Sequence, residues 1–398
     1  MTAGTSNFRA GVNAGNSIAN VGGNTGNFNV TVGDEAGTAI TTGDSNVAIG
    51  YQALDLEDTG SNNVAIGRGA LSTQNYDGEA YNTAVGYGAG NLVTTGVRNT
   101  LIGGLAGDAL TDADFNVGVG YGAISADTLG SGSVAIGDFT LVNQNFTTAT
   151  TTYNVAVGRG AGTAVTTGIN NTLIGGLAGD ALTGNGFDGS GNRVLGADQN
   201  VVVGYGALTT DTKGGRNVAI GGNALSVQNF TTAEYTYNTA IGANAGSAIA
   251  AVGAHIPGRF NTLIGGLAGD NITTGDSNIV IGHGIDAASP TADSQLNIGG
   301  WIKGLAGDIG IGIAPLVRLH VSTSHANSVA ASINNTETAN GNGLFVKGGG
   351  TNGGKYVIIG QDAAGNERFK VLATGAATIA NGLTLTDGNL VVAAGHGI

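Results

Sequence analysis

Acidic side chains in close sequence register are the first groups in this chain with catalytic potential. Asp55, Glu57 and Asp58 crowd one short stretch, and Asp112 and Asp114 another. Two carboxylates whose surroundings push their pKa values apart are what glycoside hydrolysis requires. Both groups fall in polar, turn-like segments, where acids ordinarily solvate a surface, and we read them as non-catalytic. Gly103-Gly104-Leu105-Ala106-Gly107-Asp108 invites comparison with calcium-binding nonapeptide repeats. Its spacing departs from that pattern and it does not recur in tandem nine-residue units, so Asp108, Asp180 and Asp270 are read as turn caps. There is no Cys, hence no disulfide and no thiolate metal site. No nucleophile elbow, P-loop or zinc motif is found. The expectation is a non-enzyme with no cofactor and no resident metal.

Aromatic residues offer a different chemistry. Tyr76, Tyr81, Phe146, Tyr153, Phe187, Phe230, Tyr235 and Tyr237 lie in segments that interrupt an otherwise regular repeat. Ring faces set among Thr and Asn suit sugar stacking and polar contacts, which makes these eight the candidate receptor contacts. The competing expectation is that they pack between loops of neighbouring subunits.

The repeat that positions them is plain. Asn99-Thr100-Leu101-Ile102-Gly103-Gly104-Leu105-Ala106-Gly107-Asp108 returns letter for letter at 171–180 and at 261–270. A looser Asn-(Val/Thr)-x-(Ile/Val)-Gly unit begins at Asn29, Asn46, Asn63, Asn82, Asn99, Asn116, Ser133, Asn154, Asn171, Asn200, Asn217, Asn238, Asn261, Asn278 and Asn297, mostly in steps of 17 residues. Self-similarity of this length declares a stacked architecture. Within each unit three residues alternate as a short strand, followed by a Gly corner and often a Thr-Thr-Gly turn. The rung is a β-solenoid coil, and fifteen rungs at about 4.8 Å each make a segment of roughly 70 Å. The lead Asn side chains are expected to hydrogen-bond up and down the stack as an amide ladder.

The central strand position is apolar throughout: Ala48, Ala65, Ala84, Leu101, Ala135, Ala156, Leu173, Val202, Ala219, Ala240, Leu263 and Val280. Dry faces on both sides of a strand imply cover on both sides. One cover is the inside of the coil, and the simplest second cover is another copy of the chain. These twelve are the candidate contact residues on an oligomer axis. Five segments interrupt the rhythm: 75–81, 145–153, 183–199, 229–237 and a stretch near 250–260. Insertions on a solenoid map to surface loops, where recognition commonly resides. Residues 1–28 read as an irregular N-terminal attachment segment, 29–308 as the solenoid, and 309–398 as a second β-rich region. In that last region Arg318–Val321, Leu344–Val346, Lys355–Ile359, Glu367–Leu372 and Leu390–Val392 are expected strands, with a turn at Asp362–Asn366.

Composition agrees. Gly is 75 of 398 residues and Pro only 3, while hydrophobic residues are 41% and charged ones 10%. Such a chain stays in solution only by burying its apolar groups, and its glycine load disfavours helices. A formal charge of −13 argues against a nucleic-acid groove or an anionic-membrane binder. No run approaches the ~20 apolar residues that span a bilayer, and the first residues show no signal-peptide pattern.

The rungs Asn46–Leu54, Asn63–Leu71 and Asn82–Gly90 resemble the head repeats of trimeric autotransporter adhesins of the YadA type. They are still more similar to the related repeats of bacteriophage tail fibres, over residues 29–300. The resemblance implies a left-handed parallel β-roll in which three chains pack around a common axis, followed by an intertwined shaft. A bacterial adhesin would add a signal peptide, a coiled-coil stalk and a membrane anchor. None is seen here, which favours the fibre. The implied partners are two further copies of the chain, other virion tail proteins and a host-surface glycan or protein, with no nucleic acid and no membrane insertion. The implied location is the virion, outside the cell. Alternatives are a purely structural spacer whose recognition lies elsewhere, or a bacterial adhesin head. In a trimer, His283 or His320 on the axis would meet two copies of itself, but an ordinary surface or packed histidine is the simpler reading.

Overall fold

The computed structural model describes residues 6–18, 26–184, 196–250, 258–305, 308–311, 319–321, 356–361, 367–372 and 377–379. Every regular element among them is a β-strand. The chain divides into two compact units, Met1–Ser324 and His325–Ile398.

The first unit is a parallel β-solenoid. Three-residue strands from Phe8–Ala10 to Leu296–Ile298 stack in sequence order, each pairing in parallel with the strand of the next rung. Register survives the insertions: Ala65 stands opposite Ala84, Ala135 opposite Ala156, and Leu173 opposite Val202. It is pinned because a slip of one residue would turn every apolar centre outward.

Both ends depart from expectation. The stack begins at Asn7, not Asn29. Phe8–Ala10 pairs with Val30–Val32, and the Asn29 N–H donates to Asn7 Oδ1 at 2.8 Å, so the segment read as irregular holds a strand in register with the next rung. The wide step between these two rungs hides that periodicity. At the far end the lead residue is Gln295, whose N–H donates to Asn278 Oδ1 at 2.8 Å. Asn297 occupies the central position opposite Val280. The chain then turns through Gly299 and Gly300, and the antiparallel strand Ile302–Leu305 closes the edge. Asp308–Ile311 and Leu319–Val321 extend the sheet.

The core lies inside each single-chain coil. Ala48, Ala65, Ala84, Leu101, Ala135, Ala156, Leu173, Val202, Ala219, Ala240, Leu263 and Val280 are all fully buried by their own chain. This corrects their assignment to an oligomer axis, because a side chain enclosed by its own rung cannot reach a partner. The second apolar face belongs to the flanking positions. Among them Ile102, Ile136, Ile174, Val201, Ile241, Ile264 and Ile279 are 37–42% exposed. Two further buried columns, one of Ala (Ala53, Ala70, Ala89) and one of larger aliphatics (Leu54, Leu71, Val93), fill the interior. Size is balanced rung by rung. Where the decapeptide places a bulky Leu173 at the centre, Gly179 lies against its methyl groups, and a Cβ there would sit 2.8 Å from Leu173 Cδ2. Close packing of this kind leaves no room for an extra methylene.

Backbone glycines make the corner after each strand. Gly175 has φ +133°, and a Cβ on it would lie 2.6 Å from the carbonyl of Gly204 one rung on. Only glycine meets both demands.

The lead asparagines form the expected amide ladder only in part: Nδ2 of Asn99, Asn171, Asn200 and Asn217 donates to Oδ1 of the preceding lead asparagine at 3.1–3.4 Å. Each Oδ1 accepts the backbone N–H of the next lead residue, as Asn46 does from Asn63 at 3.0 Å. Most Nδ2 groups also donate to a backbone carbonyl further round the rung, as Asn46 does to Gly60 at 2.8 Å, whereas those of Asn63 and Asn278 have no partner. A side chain such as that of Asn46 thus satisfies two buried backbone groups where the rung turns.

In the second unit, Tyr356–Gln361, Glu367–Leu372 and Ala377–Ile379 form an antiparallel meander, in line with two of the expected strands. The expected strands at 344–346 and 390–392 and the turn at 362–366 lie outside the described residues.

Candidate functional site

Three insertions are rooted by the same buried triad. Glu57, Asp127 and Asp211 are fully buried, and 17 residues after each comes a buried Gln: Gln74, Gln144 and Gln228. Gln Nε2 donates to the acid at 3.0, 2.6 and 2.6 Å respectively. Gln Oε1 in turn accepts from the lead asparagines Asn82, Asn154 and Asn238 at 3.0, 2.8 and 2.8 Å. Each carboxylate also takes two backbone N–H groups. In the third triad these are Gly214 at 3.0 Å and Phe230 at 2.9 Å. Burial pushes all three carboxyl pKa values up against the pull of these donors, and Asp211 reaches about 6. The sequence carries a usable signal for the triads: an acid 17 residues before a Gln-Asn-(Tyr/Phe) tripeptide, at 74–76, 144–146 and 228–230.

Beyond the triads the insertions build a second, shorter ladder. Thr150–Thr151 pairs with Gly130–Ser131, Glu234–Tyr235 pairs with Gly214–Gly215, and Ser61 bridges Glu79.

The predicted aromatic contacts separate into two groups. Phe146 and Phe230 are 2% and 0% exposed. They plug the coil where the insertion leaves it, because the buried acid draws their backbone inward. Neither can touch a receptor, which corrects their assignment. Tyr81, Tyr153 and Tyr237 are exposed, while Tyr76 and Tyr235 are half-buried. Tyr76 lines a shallow hollow with Asp58, Asn75, Asp77 and Thr95. Phe187 lies outside the described residues.

Tyr81, Tyr153 and Tyr237 share one position, the residue before a lead asparagine. This position is left-handed in rung after rung: Tyr81 has φ 53°, Arg98 57°, Phe115 59°, Arg216 61°, Tyr237 51° and Phe260 60°. Such backbone strain persists only where surrounding structure enforces it; here the stacking of adjacent rungs does so. The corner becomes an exposed ladder of rings and guanidiniums. Arg98 lies over Phe115 at 5.4 Å, and Tyr237 stacks on Phe260 at 5.7 Å. Arg216 lies over Tyr235 at 3.7 Å and donates to the Tyr237 hydroxyl and to Gln199 Oε1. Arg259 pairs with Asp276 at 3.7 Å. Tyr81 donates to Glu79, and this bond raises the tyrosine's pKa.

A second column, absent from the sequence reading, follows the corner glycine. Its members include Tyr51, Arg68, Tyr87, Tyr121, Asp138, Arg159 and Tyr205. Arg68 lies between the rings of Tyr51 and Tyr87, at 5.9 and 5.8 Å. Tyr121 meets Phe139 edge-on at 5.4 Å. These residues stand in the regular rungs, where the side chain at this position changes from rung to rung. The signal was present as the residue after each strand-ending Gly.

The acids first considered for catalysis have structural partners. Asp112 accepts from Thr95 and Asp114 from the Val97 N–H, at 2.6 and 2.7 Å. Asp180 accepts from Thr209 at 2.6 Å. Burial raises the pKa of Asp108, and burial followed by a hydrogen bond to Asp270 raises that of Asp286. Among the described residues no three His, Asp or Glu side chains gather as metal ligands. His283 is exposed, with its ring against Gly266. The side chain of His320 lies outside the described residues.

Fold and surface define an all-β protein built on a parallel β-solenoid of about fifteen turns, with two exposed aromatic and arginine columns. No protein-family model, curated protein or solved structure matches the chain.

Proposed function

We propose that the chain is a non-enzymatic fibre protein of a phage virion, acting as a stiff homotrimeric segment that also takes part in contact with the host surface. The observation that carries this reading is the row of half-exposed Ile and Val on the outer face of the sheet, from Ile102 to Ile279. A continuous apolar face of this kind ordinarily marks an interface, and a repeating face is best matched by a second copy of itself. The exposed ring and guanidinium columns supply the contact chemistry, since aromatic and arginine side chains dominate recognition surfaces. Light scattering tests the assembly: we expect a native mass three times the 38.8 kDa of one chain. Ile174→Lys together with Ile241→Lys should lower that mass to one chain. A monomeric wild-type protein would remove the proposal.

A second reading, a spacer without recognition of its own, is favoured by the inward turn of Phe146 and Phe230. Competition of host adsorption by the purified protein separates the two. Blocking supports recognition, and unchanged adsorption supports the spacer.

A further inference from the structure

The column after the corner glycine runs Tyr121, Asp138, Arg159, Gly176, Tyr205 over five successive rungs. Asp138 Oδ1 accepts the Tyr121 backbone N–H at 3.1 Å, and Asp34 Oδ1 accepts that of Val12 at 3.0 Å. The chain itself therefore shows what fits over the N–H at this corner: a carboxylate oxygen reaching back from the next rung. Above Arg159 this device is missing, because Gly176 has no side chain. Among the described residues, neither the Arg159 N–H nor its guanidinium has a hydrogen-bond partner or an ion pair. The other arginines of the two columns each lie on a ring or hold a polar partner, Arg98 on Phe115. Arg68 is covered by two rings, Arg216 is bonded to Gln199 and Tyr237, and Arg259 is paired with Asp276.

Around Arg159 the surface opens into a recess of about 410 Å³, floored by Gly160 and Gly176 and walled by Phe139, Leu177 and Tyr205. The three walls are 43%, 39% and 67% exposed. The volume lies within the range of small-molecule sites. Flat apolar walls beside an unpaired guanidinium, in a protein of net charge −13, favour a small anion with an apolar face. An extended peptide is poorly served, because the nearby carbonyls are already used: Arg159 by the Leu177 N–H and Gly176 by the Gly206 N–H, both at 3.1 Å.

We propose that this recess binds the carboxylate-bearing ring of an acidic sugar. The carboxylate takes the guanidinium and N–H of Arg159, as Asp138 takes the N–H of Tyr121 two rungs below, and the pyranose face lies on Tyr205 or Phe139. The inference deepens the recognition part of the proposed function and rests on it, although the recess lies within one chain.

Saturation-transfer NMR on the purified full chain tests it, with oligosaccharides ending in glucuronic, galacturonic or N-acetylneuraminic acid, each as free acid and as methyl ester. We expect transfer to at least one free acid at millimolar concentration. Its affinity should fall about tenfold or more on esterification or in Arg159→Gln, the loss of one charge-assisted hydrogen bond. Gly176→Asp should abolish binding by placing a carboxylate over Arg159 within the chain. Gly176 is not in the left-handed region, and a Cβ there meets the edge of the Tyr205 ring at 3.3 Å and the Arg159 carbonyl oxygen at an ordinary 3.9 Å. Leu92→Ala, at an exposed position in an earlier rung outside both columns, should bind as wild type. No transfer from any acid, equal binding of ester and acid, wild-type binding by Gly176→Asp, or displacement by a glutamate-rich peptide would each overturn the proposal. Native mass on the same sample separates the two claims. A trimer that binds no acid keeps the fibre and loses the recess, and a monomer that binds keeps the recess and loses the fibre.

Discussion

Gln228 donates to the Asp211 carboxylate across 2.6 Å inside the coil, and both side chains are fully buried. The same Gln accepts from Asn238 at 2.8 Å, so one amide joins an acid to the lead residue of the rung beyond the insertion. An insertion in a stacked fold threatens the register of everything after it. The triad fixes the point where the chain leaves and the point where it returns.

Removing the middle of that chain should be costly. Gln228→Leu leaves a buried carboxylate and a buried amide each short of a partner, and we expect a loss of about 2–4 kcal/mol in denaturant unfolding. The pair Asp211→Leu and Gln228→Leu should lose less than the sum of the two single changes, because the unpaired charge is then gone. Additive losses would show that the two groups are not coupled.

The buried acid also sets a pH dependence. Burial raises the Asp211 pKa from 3.8 to about 6, so the folded chain holds this proton more tightly than the unfolded chain. Stability from this group is therefore fully present below pH 3.8 and is lost as pH rises through about 6. The slope it contributes is at most about 1.4 kcal/mol per pH unit. Comparing wild type with Asp211→Asn between these limits isolates it from Glu57 and Asp127, which shift in the same direction. Identical pH profiles would contradict the assignment.

Asn116 offers a test of the lead column. Its Oδ1 accepts from the Ser133 N–H and its Nδ2 donates to the Gly130 carbonyl, both at 2.9 Å. Asn116→Ala should cost about 2–4 kcal/mol by orphaning both. Asn116→Asp should cost more, since it keeps the acceptor but turns a buried negative charge on the Gly130 carbonyl. Hydrogen exchange at Ser133 reads the distinction, with protection lost in the alanine variant and kept in any aspartate variant that folds.

The corner glycines allow no side chain. In Gly175→Ala the new methyl would lie 2.6 Å from the Gly204 carbonyl at a φ of +133°. We expect a melting temperature several degrees lower, from a loss of at least about 1–3 kcal/mol. Gly176→Ala, one residue on and outside that φ range, should be close to neutral. The contrast assigns the cost to the corner and not to glycine content in general.

The stacked fold was legible in the sequence because the 17-residue spacing repeats, and a rung of fixed length can only pair with its copies in register. Strand position followed from the alternation in units such as Val47-Ala48-Ile49, where period two determines which residues share a face. Which face is the interior was decided only by the coil closing on itself. Both faces are apolar, so composition could not tell Ala48, which is enclosed, from Ile102, which is left outside. The asparagine bonding was likewise settled in three dimensions, since the Asn46 amide meets the Gly60 carbonyl only after the chain has gone round the rung. Phe146 and Phe230 sit in the interruptions as the sequence placed them, yet a buried acid 19 residues earlier draws them inward. The open Arg159 corner depends on what the next rung lacks. A missing side chain at Gly176 has meaning only when that residue stands directly above Arg159, and stacking alone puts it there.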